Sequence, residues 1–116
     1  MIARGTVVLV ELDPTVGHEQ FGVRPCIAIS DPEINQSQRF PLLAVVPVTG
    51  TPGEGLLYPE LSAGKSGLTK ISFALIDHLR SIDKRRIRRV FGKISAGELA
   101  AIDQALSLFL GLVADE

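Results

Sequence analysis

Only one stretch of the chain has the periodicity of a packed helix, and it lies at the C-terminal end. Leu99, Ile102, Leu106, Phe109, Leu110 and Val113 recur at three- and four-residue spacing, which is one apolar helical stripe. Ser95-Ala96-Gly97-Glu98 precedes it and fits a capping box, in which the Ser hydroxyl and the Glu carboxylate each satisfy a backbone N–H of the first turn. Leu108 and Leu112 widen the stripe beyond one packed face. Such a helix either lies deep in a core or faces a partner, and in so small a chain part of it is expected to face a partner. Everything upstream must fold by other means.

Those means are β-strands. Thr6 to Leu12 is β-branched and apolar, and Asp13-Pro14 ends it. Thr15 to Gly22 reads as a polar loop. Arg24 to Ser30 is a second strand, with Pro25 tolerable near its start. A polar loop from Asp31 to Arg39 leads to a third, strongly apolar strand, Leu42 to Thr49. The stretch from Gly50 to Gly67 is rich in Gly and Pro, with Leu56-Leu57-Tyr58 as a candidate short strand. Ile71 to Leu79 alternates as a strand does, and Ile82-Asp83 and Val90-Phe91 offer further short pairing segments. The expected fold is mainly β with a C-terminal helix, a small antiparallel barrel or curled sheet closed by that helix. At 116 residues it is expected to be a single domain, 1–116.

Composition excludes several classes. Hydrophobic residues at 46% and charged residues at 22% are not those of a disordered tail. One cysteine, Cys26, cannot form an intramolecular disulfide, and with two His a structural zinc cage is not expected. No apolar run reaches the roughly 18–20 residues of a membrane span, and no secretory signal opens the chain, so the cytoplasm is the expected compartment. The net charge of −1 hides an uneven distribution. Residues 80–93 hold seven Lys and Arg against Asp83 alone, whereas residues 94–116 hold four acids and no Lys or Arg. A compact basic block suits an anionic partner or, equally, a solvated face.

Two partial motifs fall away. Gly64-Lys65-Ser66 has Pro59 where a phosphate-binding loop needs Gly, and Leu68 stands where a nucleophile elbow needs Gly. The informative stretch is Gly17-His18-Glu19-Gln20-Phe21-Gly22-Val23-Arg24-Pro25, followed by the strand end Val46-Pro47-Val48-Thr49 and by Ile82-Asp83-Lys84-Arg85-Arg86. In these segments the chain resembles the MazF/PemK family of toxins from bacterial toxin–antitoxin systems, from Arg4 to about Leu112. The resemblance implies an SH3-like antiparallel barrel of the CcdB/MazF kind. It also implies a homodimeric, metal-independent and cofactor-free endoribonuclease that cuts single-stranded RNA (mRNA) at short sequences and is neutralised by a cognate antitoxin.

Carried over residue by residue, Arg24 matches the family's catalytic arginine, Thr49 its strand-end threonine and Glu19 its loop carboxylate, while Gln20 falls in the RNA-contacting loop. The chain departs from the family pattern at Thr6, where Asp is usual, and at His18, where Ser is usual. It departs again at Gly50, where a second hydroxyl is usual, and at Lys70-Ile71. The chemistry is coherent on its own terms. RNA can be cut without metal if its 2′-OH attacks the adjacent phosphorus and the protein offsets the charge growing on the phosphate. A permanently charged guanidinium suits that task, and a threonine hydroxyl can hold the phosphate in line. Arg24 is a poor base, which leaves Glu19 or His18 to move the proton.

Each assignment has a plainer alternative. Glu19 either pairs with Arg24 or acts in catalysis. Phe21 either stacks on a base or packs locally. His18 is either a solvated loop residue or a proton-transfer group. Arg85 and Arg86 either serve solubility by pairing with Asp83 and the acidic helix, or contact RNA or an acidic antitoxin. The competing function is that of a CcdB-like toxin, which binds DNA gyrase and does no chemistry of its own.

Overall fold

Three strands that are apolar on both faces form the centre of the sheet. β1 (Thr6–Glu11) pairs antiparallel with β2 (Val23–Ala28), which pairs antiparallel with β3 (Leu42–Thr49). The computed structural model describes residues 2–112. Side chains alternate across a strand, so the register sets Val7, Ile27 and Val46 abreast on one face and Val8, Cys26 and Pro47 abreast on the other. All six are buried. A continuous apolar run therefore serves two cores at once.

The remaining strands curl this centre into a half-barrel. β4 (Glu60–Leu61) pairs with β5 (Ser72–Ala74), and β5 with the C-terminal end of β3. β6 (Arg80–Asp83) takes the first half of that same edge, opposite Leu42–Val45. β7 (Ile87–Lys93) covers the free edge of β1, with two register shifts that bend the ladder. Every pairing is antiparallel. This is the curled antiparallel sheet with a C-terminal helix that the sequence predicts.

The C-terminal helix and a short one complete the fold. α1 (Pro32–Gln36) is capped by the Asp31 carboxylate, which accepts from the Glu33 N–H at 2.8 Å. α2 (Ala96–Phe109) begins with the capping box: Ser95 Oγ accepts from the Glu98 N–H at 3.1 Å, and Glu98 Oε1 accepts from the Ser95 N–H at 2.9 Å. The other Glu98 oxygen accepts from the Ser62 N–H at 2.6 Å, which ties the helix start to the loop beneath it. Ile102, Ala105 and Leu106 enter the core beside Val7, Ile27 and Ile76. Arg4 fastens the helix to the sheet. Its Nε donates to the Ile29 carbonyl at 2.7 Å, and its two terminal nitrogens grip the Asp103 carboxylate.

Several local expectations change. Ile71–Leu79 is not one strand. β5 covers only Ser72–Ala74, a 3-10 turn at Ile76–His78 follows, and β6 then begins. Both β5 and β6 pair with the same edge of β3, so the chain must step off the edge and return; Ile76 points into the core at the step and is fully buried. The short strand of the Gly/Pro-rich region lies at Glu60–Leu61, not at Leu56–Tyr58. Val90-Phe91 is the middle of a seven-residue strand. The Asp31–Arg39 loop contains α1, and β2 runs from Val23 to Ala28 rather than from Arg24 to Ser30. α2 ends at Phe109, and the apolar residues just past it are exposed, Leu110 at 51% and Leu112 at 72%. Val113 lies outside the described residues.

The capping box predicts a measurable cost. Replacing Ser95 by Ala leaves the Glu98 N–H without its acceptor at the helix start. Ser95→Ala should lower unfolding stability by about 1 kcal/mol in a urea titration. Unchanged stability would mean that packing alone holds the helix start.

Candidate functional site

Arg24 and Thr49 come from neighbouring strands and line one cavity of about 280 Å³. The β2–β3 ladder ends at the pair Cys26–Pro47. Arg24 and Thr49 lie two residues beyond that last pair, each on its own strand. Both residues are half-buried. On its other side Arg24 is opposite Val10 of β1, so its backbone belongs to the rigid centre of the sheet. Its side chain is held by Phe21. Nε donates to the Phe21 carbonyl at 3.0 Å, and the guanidinium carbon lies 5.4 Å from the centre of the Phe21 ring. Thr49 Oγ1 accepts from the Thr51 N–H at 3.2 Å. Lys70 and Ser72 line the same cavity.

His18, Glu19 and Gln20 lie elsewhere. They line a second cavity, of about 260 Å³, together with Pro47, Asp77, His78 and Arg80. The sequence groups Glu19 with Arg24, but no ion pair joins them among the described residues. Glu19 instead accepts from the Val16 N–H at 2.6 Å and holds its own loop in shape. The two cavities are bordered by residues two apart on β3, Pro47 for one and Thr49 for the other. His78 sits on the 3-10 turn rather than on a strand, with Nε2 3.8 Å from the Asp77 carboxylate. Asp77 also accepts from the Tyr58 hydroxyl at 2.9 Å, and this bond raises the phenol's pKa.

The basic block holds the root of that loop. As β1 leaves its ladder, its last carbonyls lose strand partners and need donors. Arg80 Nη1 donates to the Leu12 carbonyl at 3.1 Å. Arg86 Nη1 donates to the Glu11 carbonyl at 3.2 Å and to the Asp13 carbonyl. The Leu12 N–H closes the loop on the Gly22 carbonyl at 2.9 Å. Arg85 takes the Asp83 carboxylate in two parallel bonds of 3.0 and 2.9 Å. These bonds, with the Arg85 N–H, hold the Asp83 carboxyl down at about 2. Arg85 and Arg86 thus sit away from Arg24 and Thr49, on a surface recess with Glu11 and Arg88. Among the described residues, the acidic helix is bound by Arg4 through Asp103 and not by this block.

The sequence marks Lys70 only as a departure from the family pattern and His78 as a strand histidine, and it gives Asp77 and Arg80 no site role. Arg80 belongs to the visible basic block, but nothing local marks it as the partner of Leu12. Asp77 and His78 are brought in by the step between β5 and β6, and Lys70 by the pairing of β5 with the end of β3, neither of which periodicity reveals.

Comparison with known proteins now identifies the class. The sequence model of the PemK-like, MazF-like toxins of type II toxin–antitoxin systems matches residues 3–110. The chain belongs to this family. Among solved structures it is similar to MazF from Deinococcus radiodurans, with 31% identity, 94% of this chain and 96% of that chain covered, and a TM-score of 0.79. It is similar also to a MazE–MazF complex from Deinococcus radiodurans, at 29% identity, 96% of each chain covered and a TM-score of 0.76. A mycobacterial endoribonuclease in complex with its cognate antitoxin shares the fold at 18% identity and a TM-score of 0.79, with 97% of this chain and 98% of that one covered.

The Asp83–Arg85 pair sets a pH dependence. A carboxyl lowered from its ordinary 3.8 to about 2 by native contacts stabilises the fold above pH 4. That contribution is lost as pH falls towards 2. Asp83→Asn lacks it at every pH. The stability gap between wild type and Asp83→Asn should therefore close between pH 4 and pH 2, as read by thermal unfolding. A gap that stays constant across that range would show that the pair does not form in solution.

Proposed function

We propose that this chain is a metal-independent endoribonuclease toxin that cleaves single-stranded RNA, mRNA included, and is held inactive by a cognate antitoxin. The observation that carries this reading is the meeting of Arg24 and Thr49 on one cavity, with no carboxylate neutralising Arg24 among the described residues. Arg24 binds the non-bridging oxygens of the scissile phosphate, and the Thr49 hydroxyl keeps the phosphate in line. The substrate's 2′-OH attacks phosphorus and the bond to the 5′-oxygen breaks, leaving a 2′,3′-cyclic phosphate and a 5′-OH. One proton leaves the 2′-oxygen and one reaches the 5′-oxygen. On this reading Glu19 and His18, which line the cavity bordered by Pro47, carry them. An RNA strand crossing the end of β3 meets both cavities, with His18, Gln20 and the exposed Phe21 ring offered to its bases and Arg85 and Arg86 to its backbone.

The same reading includes a homodimer. Leu108, Phe109, Leu110 and Leu112 are all more than two-fifths exposed at the end of α2, so one subunit does not bury the apolar stripe. A two-fold contact through this surface would cover it and set two strand–loop systems side by side. The antitoxin is expected to block the resulting groove; two of the similar structures are themselves assemblies of this kind, MazE–MazF from Deinococcus radiodurans and a mycobacterial endoribonuclease with its cognate antitoxin.

Incubation with a long single-stranded RNA in EDTA tests the activity. Discrete fragments ending in 5′-OH are expected, whereas intact RNA together with inhibited DNA gyrase would overturn the reading in favour of a CcdB-like toxin. Arg24→Ala should lower the cleavage rate by about 100-fold or more without unfolding the protein, and Thr49→Ala by less. Near wild-type cleavage by Arg24→Ala would remove Arg24 from the chemistry. The dimer is checked separately by sedimentation equilibrium at micromolar concentration. A mass that stays at 12.4 kDa would refute it.

A further inference from the structure

We propose that Lys70 is a second phosphate-binding cation of the Arg24–Thr49 site, seated there because residue 50 has no side chain. Arg24, Thr49, Gly50 and Lys70 line the same cavity. A Cβ built on Gly50 would lie 2.6 Å from the Lys70 ammonium nitrogen and would clash with Lys70 Cε as well. The end of the lysine therefore lies directly over the Gly50 backbone, one residue past Thr49. The φ angle of Gly50 is not in the left-handed region, so its backbone conformation is open to any residue. What leaves no room for a side chain there is Lys70.

The charges point to an anion. Among the described residues the ion pairs are Arg4–Asp103, His78–Asp77 and Arg85–Asp83; neither Arg24 nor Lys70 has a carboxylate partner. Two unneutralised cations on one cavity repel each other, and a bound anion relieves that repulsion. The backbone that presents Lys70 is held in place: the Ser72 hydroxyl donates to the Lys70 carbonyl at 2.9 Å, and Ser72 itself is buried in β5. A phosphodiester has two non-bridging oxygens, so a guanidinium and an ammonium converging beside a hydroxyl can hold one phosphate or two successive ones. This inference rests on the RNA reading above and adds a residue to it. Lys70 contributes the charge that binds the RNA backbone, independent of which bases are read.

The test uses the full chain and a single-stranded RNA carrying 2′-O-methyl groups, which cannot be cut. Lys70→Met should weaken binding about tenfold at low salt. It should also flatten the plot of log affinity against log salt by about 0.7, the loss of one phosphate contact on a single strand. Lys70→Arg should restore the slope. Gly50→Ala moves only the flexible end of Lys70, so it should fold and weaken binding. Adding Lys70→Met to Gly50→Ala should cost little more, since both changes remove one contact. A wild-type protein that cuts RNA while Lys70→Met keeps its affinity and salt slope would overturn this inference alone. A wild-type protein that neither binds nor cuts RNA would overturn it together with the reading beneath it.

Discussion

Val8, Cys26 and Pro47 stand abreast across three strands, and the rest of the molecule depends on that register. A slip of one residue in β2 would exchange its two faces, sending Cys26 into the core that Ile27 fills and turning Ile27 outward from it. The same slip would carry Arg24 to the face opposite Thr49. The burial that selects the fold therefore also positions the cavity, because Arg24 and Thr49 lie two residues beyond the buried pair Cys26–Pro47 that ends the ladder. The central strands carry a core on each face, Val7, Ile27 and Val46 in one and Val8 and Cys26 in the other.

The basic block does something different from what its charge suggests. A run of Lys and Arg reads as a surface for an anion, yet most of these side chains are spent on backbone oxygens. Arg80 and Arg86 satisfy the carbonyls at the end of β1. Lys84 donates to the carbonyls of Ile34 and Ser37, which anchors α1, and Arg88 donates to the carbonyl of Arg85. Arg89 lies over the Phe91 ring, with 4.9 Å from guanidinium to centroid. Charge-assisted bonds of this kind are stronger than neutral ones, and they occur where strands end and carbonyls lack partners. Arg24 and Lys70, which have no carboxylate partner among the described residues, line the cavity beside the end of β3 instead.

How far the sequence was legible follows from the range of each interaction. The α2 cap was readable because its two hydrogen bonds join residues three apart. β1, β2 and β3 were readable because burial on both faces demands long apolar runs. The break of Ile71–Leu79 into β5, a turn and β6 was not, since it arises from two segments sharing one edge of β3, and alternation persists through the turn. The pairing of β5 with the end of β3 carries Lys70 to Gly50, and the step that follows it brings His78 to the cavity that His18 lines. The loop from Gly17 to Pro25 was marked by its residue types. That its carboxylate, Glu19, folds back on Val16 instead of reaching Arg24 depends on loop geometry that spacing does not encode.

The split between ladder and loop has a physical consequence for selectivity. Arg24 and Thr49 stand on strands whose neighbours are fully buried, so their separation is fixed by packing that leaves few voids to relax into. His18, Glu19 and Gln20 stand on a loop whose root is fixed by the Leu12–Gly22 bond and two guanidiniums, while its tip is exposed. Substitutions at the tip can change what the second cavity presents without moving the first. Phe21 joins the two regions, because its carbonyl and ring position the Arg24 guanidinium while its ring remains 62% exposed. On the proposed reading, a base stacked on that ring would press on the side chain that holds the phosphate. Recognition and chemistry would then be coupled through one aromatic residue, with the strands beneath them unmoved.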